Sequence, residues 1–135
     1  MKKSKGQSIL VIDDNDDMVE LQRTMLEIEG YDVFTAQSGE KALGALEEIS
    51  PPDLILLDMQ LGDMNGIEFL NTLEKKMPEI IEEVPIVFMT GADHVPPSRA
   101  VGFIQKPAEM EMFLSEINRY IGASSKKSKE NEANL

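Results

Sequence analysis

Five side chains in this sequence could do chemistry together: the paired carboxylates Asp13 and Asp14, a third carboxylate at Asp58, the hydroxyl of Thr90 and the amine of Lys106. Each ends or directly follows a short strand-like run: Ile9-Leu10-Val11-Ile12, Leu54-Ile55-Leu56-Leu57, Ile86-Val87-Phe88-Met89 and Phe103-Ile104-Gln105. Gathered at one place, three carboxylates repel strongly unless a hard divalent cation sits among them, taking oxygen ligands in octahedral geometry and keeping waters. Magnesium fits that description. Lysine and threonine are poor ligands for such an ion, but both suit the oxygens of a phosphoryl group. The set therefore reads as a site that holds magnesium and phosphate together. Singly, each member has a plainer reading. Asp58 could be a loop aspartate ending a strand, Asp13-Asp14 an acidic helix start complementing the dipole, and Lys106 a solvated surface lysine.

The elements must therefore bring the five together. Leu54-Ile55-Leu56-Leu57, bounded by Pro51-Pro52 and Asp58, is wholly apolar, as in a strand buried on both faces of a parallel sheet. Such a strand delivers its last side chain to the carboxyl edge, where open α/β folds place their chemistry. Between the strands lie helical stripes. Met18, Leu21, Met25 and Leu26, with Ile28 nearby, recur over 18–29, with Gly30 as the stop. Ala42, Leu43, Leu46 and Ile49 follow a start at Ser38-Gly39. Ile67, Leu70, Leu73 and Met77 follow Asn65, with Glu68 three residues on as the reciprocal capping partner. Met110, Phe113, Leu114, Ile117 and Ile121 make a last helix that Gly122 should end. With a further strand over 31–36, the alternation predicts an α/β fold of the flavodoxin-like, doubly wound kind. Its five parallel strands take the order 2-1-3-4-5, with the ends of strands one and three side by side.

Composition narrows the function. One domain is expected for 135 residues, and there is no cysteine for a disulfide or a thiolate metal site. No apolar run spans a membrane and no signal-peptide pattern follows the basic start, so a cytoplasmic protein is expected. The net charge of −12 is concentrated between residues 6 and 121, since both ends are net basic. That argues against nucleic-acid binding and for divalent cations or basic partner surfaces. His94, the only histidine, sits in a proline-rich loop and is expected in solvent rather than in catalysis.

Asp13-Asp14, Leu57-Asp58-Met59, Met64-Asn65-Gly66, Met89-Thr90-Gly91 and Lys106-Pro107, in this order and on these elements, resemble the motif set of two-component response-regulator receiver domains, chiefly stand-alone ones of the chemotaxis type. The resemblance covers about residues 7–121. It implies that Asp58 is the phospho-acceptor, receiving a phosphoryl group from the phosphohistidine of a sensor histidine kinase or phosphotransfer protein. Asp14, Asp58 and the Gln60 backbone carbonyl would ligate Mg2+, with Asp13 assisting through water. Thr90 and Lys106 would bind the phosphoryl oxygens, and Thr90 and Phe103 would form the switch. Lys106-Pro107 matches a usual cis peptide, an isomer readily accessible only before proline. Output would be contact with a downstream protein, from a receiver domain at 7–122 flanked by a flexible N-terminus (1–6) and a disordered polar tail (123–135). The chain would assist its own phosphorylation and slow dephosphorylation without being a turnover enzyme.

The sequence departs from that pattern in four places. Gly62 stands where proline is usual, and Ala108 where a large apolar residue is common. The connection 78–83 is longer than the fold needs. Residues 91–105 must hold a loop, a helix and the fifth strand with Pro96-Pro97 in the middle, and proline belongs only in a helix's first turn. The fourth helix is therefore expected to be stunted or missing, with at most one turn near 97–101. This departure makes a degenerate receiver, used as a phosphorylation-independent scaffold, the main rival. A magnesium-dependent aspartyl-phosphate phosphatase would need an acid two residues beyond Asp58, where Gln60 stands. A flavodoxin-type cofactor site would meet repulsion from the acids at 13–17.

Overall fold

A computed structural model describes the backbone of residues 6–133 and side chains as far as Ala123. Five strands form one parallel sheet: β1 (Ser8–Ile12), β2 (Asp32–Ala36), β3 (Leu54–Asp58), β6 (Ile86–Thr90) and β7 (Gly102–Gln105), in the order β2-β1-β3-β6-β7. This is the expected winding. Two short strands, β4 (Gln60–Leu61) and β5 (Met64–Asn65), pair antiparallel as a small hairpin just after β3.

Strand alternation explains the apolar runs, since a sheet covered on both sides buries every residue of its central strands. Leu10, Ile12, Ile55, Leu57, Ile86 and Phe88 face one way, onto α2 (Gly39–Glu48), α3 (Gly66–Lys76) and α4 (Pro78–Glu83). Ile9, Val11, Leu54, Leu56, Val87 and Met89 face the other way, onto α1 (Asp16–Glu29) and α5 (Met110–Ala133). Ser38 opens α2, Asn65 with Glu68 opens α3 and Gly30 ends α1, as expected, while α1 starts two residues before Met18. Asn15 and Ser38 cap α1 and α2, and Asn65 and Glu68 form a capping box on α3. Gly30 ends α1 in a left-handed conformation at φ 109°.

Several details differ from the sequence reading. On α1 the buried residues are Val19, Gln22, Met25, Leu26 and Glu29, whereas Leu21 and Ile28 are 51% and 57% exposed. The face is turned by about one residue because its end is fixed by polar contacts: Asn118 Nδ2 of α5 donates to Glu29 Oε2 at 2.9 Å, and the Tyr31 hydroxyl donates to Asn118. On α3, Phe69 is fully buried while Ile67 is only half-buried, and Met110 at the start of α5 is exposed. The connection 78–83 is a helix, α4, with Pro78 in its first turn where the missing N–H costs nothing.

The last helix does not stop at Gly122 but runs to Ala133, so a disordered tail from 123 is corrected over 123–133. Gly122 does not take a positive φ, and glycine within a helix costs only about 1 kcal/mol relative to alanine. The alanine, lysines and glutamates that follow are helix formers. Of the expected flexible N-terminus, residues 1–5 lie outside the described residues.

The fourth crossover carries no helix at all. Residues 91–101 run as irregular chain from β6 to β7, with Val95 and Ala100 half-buried against the α2–α3 face. Arg99 Nη1 reaches Glu74 Oε1 of α3 at 2.9 Å.

Candidate functional site

At the carboxyl edge of the sheet, β1, β3, β6 and β7 end side by side and bring the predicted residues together. Asp13 follows β1 directly and is buried, its N–H donating to the Ala36 carbonyl of β2 at 3.1 Å. Asp14 is exposed beside it, and Asp58 is the last residue of β3. One carboxylate oxygen from each of the three lies within 4.8 Å of the other two. Lys106, just past β7, donates Nζ to Asp58 Oδ2 at 3.0 Å and stands 3.8 Å from Asp13 Oδ2. The Lys106 backbone N–H is held by the Thr90 carbonyl at 2.7 Å, which brings β6 and β7 to the same corner.

The electrostatics follow from burial and crowding. Asp13 is pushed up to about 6, first by burial and also by the neighbouring Asp58; a hydrogen bond from the Asn15 N–H (3.0 Å) and the charge of Lys106 oppose the shift. Its Oδ2 is buried with no hydrogen-bond partner among the described residues. A buried carboxylate oxygen facing two more carboxylates costs free energy unless a cation meets it. All-oxygen donors of this charge fit a hard divalent ion such as Mg2+.

Around the acids the backbone comes unusually close. Gly66 opens α3 where a Cβ would sit 2.7 Å from the Phe88 ring and 3.3 Å from Met59 Cα, so this tight junction requires a glycine. Gln60 donates its backbone N–H to Asp58 Oδ1 at 3.1 Å, and its side chain points to solvent. Thr90 Oγ1 accepts the Ala92 N–H at 3.1 Å rather than turning to Asp58. Phe103 pairs in register with Phe88 and is half-buried against the α2–α3 core. The Lys106-Pro107 peptide is cis. His94 is exposed, beside Asp93 at 2.8 Å, and away from this cluster.

Sequence reading missed Asp63. Its carboxylate accepts the N–H groups of Gly39 and Glu40, both at 3.0 Å, and these bonds hold it below the usual carboxylate range. Nothing near Asp63 in the chain names a helix that starts 24 residues earlier. The only available hint is that the start of α2 has donors in need of acceptors.

An open parallel sheet of this winding with an acid cluster and a lysine at its carboxyl edge defines a receiver-type α/β protein. Residues 9–118 match the sequence family described as the response regulator receiver domain, and the chain belongs to that family. It is 29% identical over 121 residues to the polar-differentiation response regulator DivK of Brucella ovis, covering 85% of this chain and 96% of that one. Among solved structures, the chemotaxis response regulator CheY4 of Vibrio cholerae superposes with a TM-score of 0.76 at 25% identity, over 84% of this chain and 98% of that chain. NtrX of Brucella abortus gives 0.81 at 28% identity, over 93% of this chain but 29% of that longer one.

Proposed function

We propose that the chain is a phospho-accepting switch of a two-component system, with Asp58 as the acceptor. The supporting observation is the convergence on Asp58 of Lys106 at 3.0 Å and the two neighbouring carboxylates. An Asp58 carboxylate oxygen attacks the phosphorus of a phosphohistidine on a sensor histidine kinase or phosphotransfer protein. The O–P bond forms as the N–P bond breaks, and the imidazole leaves on the partner. Asp14, Asp58 and the Gln60 carbonyl would hold Mg2+, with Asp13 assisting through water, and the bound ion would supply charge neutralisation at the phosphoryl oxygens. Lys106 places its ammonium against the same oxygens. Water later cleaves the acyl phosphate and returns the carboxylate, which makes the domain a timed switch rather than a turnover enzyme.

Phosphorylation gives the Thr90 hydroxyl a charged acceptor for its proton, and its turn toward Asp58, away from the Ala92 N–H it now accepts, frees space for Phe103 to move inward. The change is a shift between two packings that a downstream protein reads. The net charge of −12 favours basic protein partners over nucleic acid, in the cytoplasm. None of the described helices is long and apolar enough to cross a membrane.

The test is incubation with acetyl phosphate and Mg2+ followed by intact mass. One added phosphoryl group is expected in the wild type and none in Asp58→Asn. No uptake by the wild type would leave the phosphorylation-independent scaffold as the reading.

A further inference from the structure

The turn that follows Asp58 is tied to the start of α2 by both oxygens of one carboxylate. Gly39 donates to Asp63 Oδ1 and Glu40 to Oδ2, each at 3.0 Å, while Ser38 Oγ takes the next N–H, that of Lys41, at 3.0 Å. Asp63 and Ser38 thus divide the free donors of that helix end between them. The two segments also interlock, since a Cβ on Gly39 would come within 2.4 Å of Met64 Sδ.

On its other side the same turn meets the acid cluster. Gly62 is left-handed at φ +54°, and a Cβ there would lie 3.4 Å from Asp14 Oδ2. Gln60, at the start of the hairpin, donates to Asp58 Oδ1. Gln60, Gly62 and Asp63 therefore link Asp58, Asp14 and α2 in that order. The hairpin itself has only two residue pairs, Gln60 with Asn65 and Leu61 with Met64. Leu61 is buried in the core and the Gly66 N–H donates to the Met59 carbonyl at 2.8 Å, which fix its base, whereas the exposed tip at Gly62 and Asp63 is tied to α2 through the Asp63 carboxylate.

We infer that Asp63 is a positioning residue of the metal and phosphoryl site: it anchors the β4–β5 hairpin to α2, so that the Gln60 backbone is held beside Asp58 and Asp14 before an ion arrives. The inference rests on the proposed roles of Asp58, Asp14 and the Gln60 carbonyl. It assigns to Asp63 a function that helix capping alone does not require. Without the anchor, the tip of the hairpin must be ordered at the moment of metal binding while its base stays held by the buried Leu61, which weakens affinity and leaves the occupied site intact.

The experiment titrates magnesium chloride calorimetrically into wild type, Asp63→Ala, Asp63→Asn and Ser38→Ala, and follows phosphoryl uptake from acetyl phosphate against magnesium concentration. Asp63→Ala is expected to weaken magnesium binding on the order of tenfold, the low end of what is lost with groups that orient metal ligands. Asp63→Asn, which keeps one acceptor oxygen, should lose less. Both should regain the wild-type uptake rate at saturating magnesium. Ser38→Ala removes a cap from the same helix without touching the hairpin, so it should lower thermal stability and leave magnesium affinity unchanged. If Asp63→Ala does not fold, Asp63→Asn against Ser38→Ala decides. Unchanged affinity in the Asp63 variants, or an equal loss in Ser38→Ala, overturns the inference. A wild type that neither binds magnesium nor takes up phosphate overturns the proposed function, and this inference with it.

Discussion

Lys106 Nζ donates to Asp58 Oδ2 at 3.0 Å, and the same ammonium is 3.8 Å from Asp13 Oδ2. One cation thus offsets part of the repulsion among three carboxylates, and under the proposed function it would face the charge that develops on a transferring phosphoryl group. Replacing it should have opposite effects on metal and chemistry. Lys106→Gln removes a competitor for the carboxylates, so magnesium should bind no more weakly than in the wild type. Phosphoryl uptake should slow by about 10²-fold, typical of losing one donor aimed at transition-state charge. Calorimetry and intact-mass time courses on the same preparation separate the two effects.

The raised Asp13 gives the metal-free protein a defined pH dependence. With its ordinary value at 3.8 and its folded value at about 6, the folded state holds a proton that the unfolded chain has already released. The unfolded state therefore binds fewer protons, and stability falls as pH rises through that interval, levelling off above it. Urea unfolding in a chelator should show the advantage of wild type over Asp13→Asn shrinking as pH is raised toward about 6. A difference that grows over this range contradicts the assignment.

At the junction of the Asp58 loop and α3, Gly66→Ala should destabilise the fold. Its Cβ would meet the fully buried Phe88 ring at 2.7 Å and the Met59 backbone at 3.3 Å. Neither neighbour can retreat easily, and overpacking of this kind costs about 1–3 kcal/mol. A lowered urea midpoint with an unchanged slope is the expected result.

What the sequence made legible is whatever is encoded locally or by burial on both faces. Leu54-Ile55-Leu56-Leu57 must lie inside a two-sided sheet, and Asn65 with Glu68 names a helix start whatever the rest of the chain does. The gathering of Asp13, Asp14, Asp58 and Lys106 was legible for the same reason, because they sit at strand ends that a parallel sheet necessarily brings together. The orientation of α1 was not legible. Leu21 and Ile28 look like core by type, but the partner that turns Glu29 inward is Asn118, distant in sequence. Asp63 was hidden in the same way, behind a contact with Gly39 and Glu40. Gly122 misled because glycine stops a helix only where the chain takes a left-handed turn, and here it does not.

The segment from Gly91 to Val101 should be the least stable part of the domain and the part that phosphorylation changes. Its backbone is anchored at the far end, where Val101 donates to the Ile86 carbonyl at 2.9 Å. Near the start, among the described residues, the Ala92 N–H is held by Thr90 Oγ1 and the Gly91 carbonyl accepts a long bond from Gln105 Nε2 at 3.5 Å. Between them, the surface pair of Arg99 with Glu74 contributes about 0–1 kcal/mol, and only Val95 and Ala100 reach the core. Local opening is then easy, and the amides of 93–99 should exchange quickly in the unmodified protein. If Thr90 turns to a phosphoryl group at Asp58, it releases Ala92 and the loop must find another arrangement, ordering around Thr90 and Phe103. Hydrogen exchange with and without beryllofluoride plus magnesium reads this directly. Protection over 91–101 should rise on activation, and the rise should vanish in Thr90→Ala. A segment already well protected, or one that does not respond while Asp58 is demonstrably occupied, would show that the loop is not the output, and a phosphorylation-independent scaffold would then be the better account of this surface.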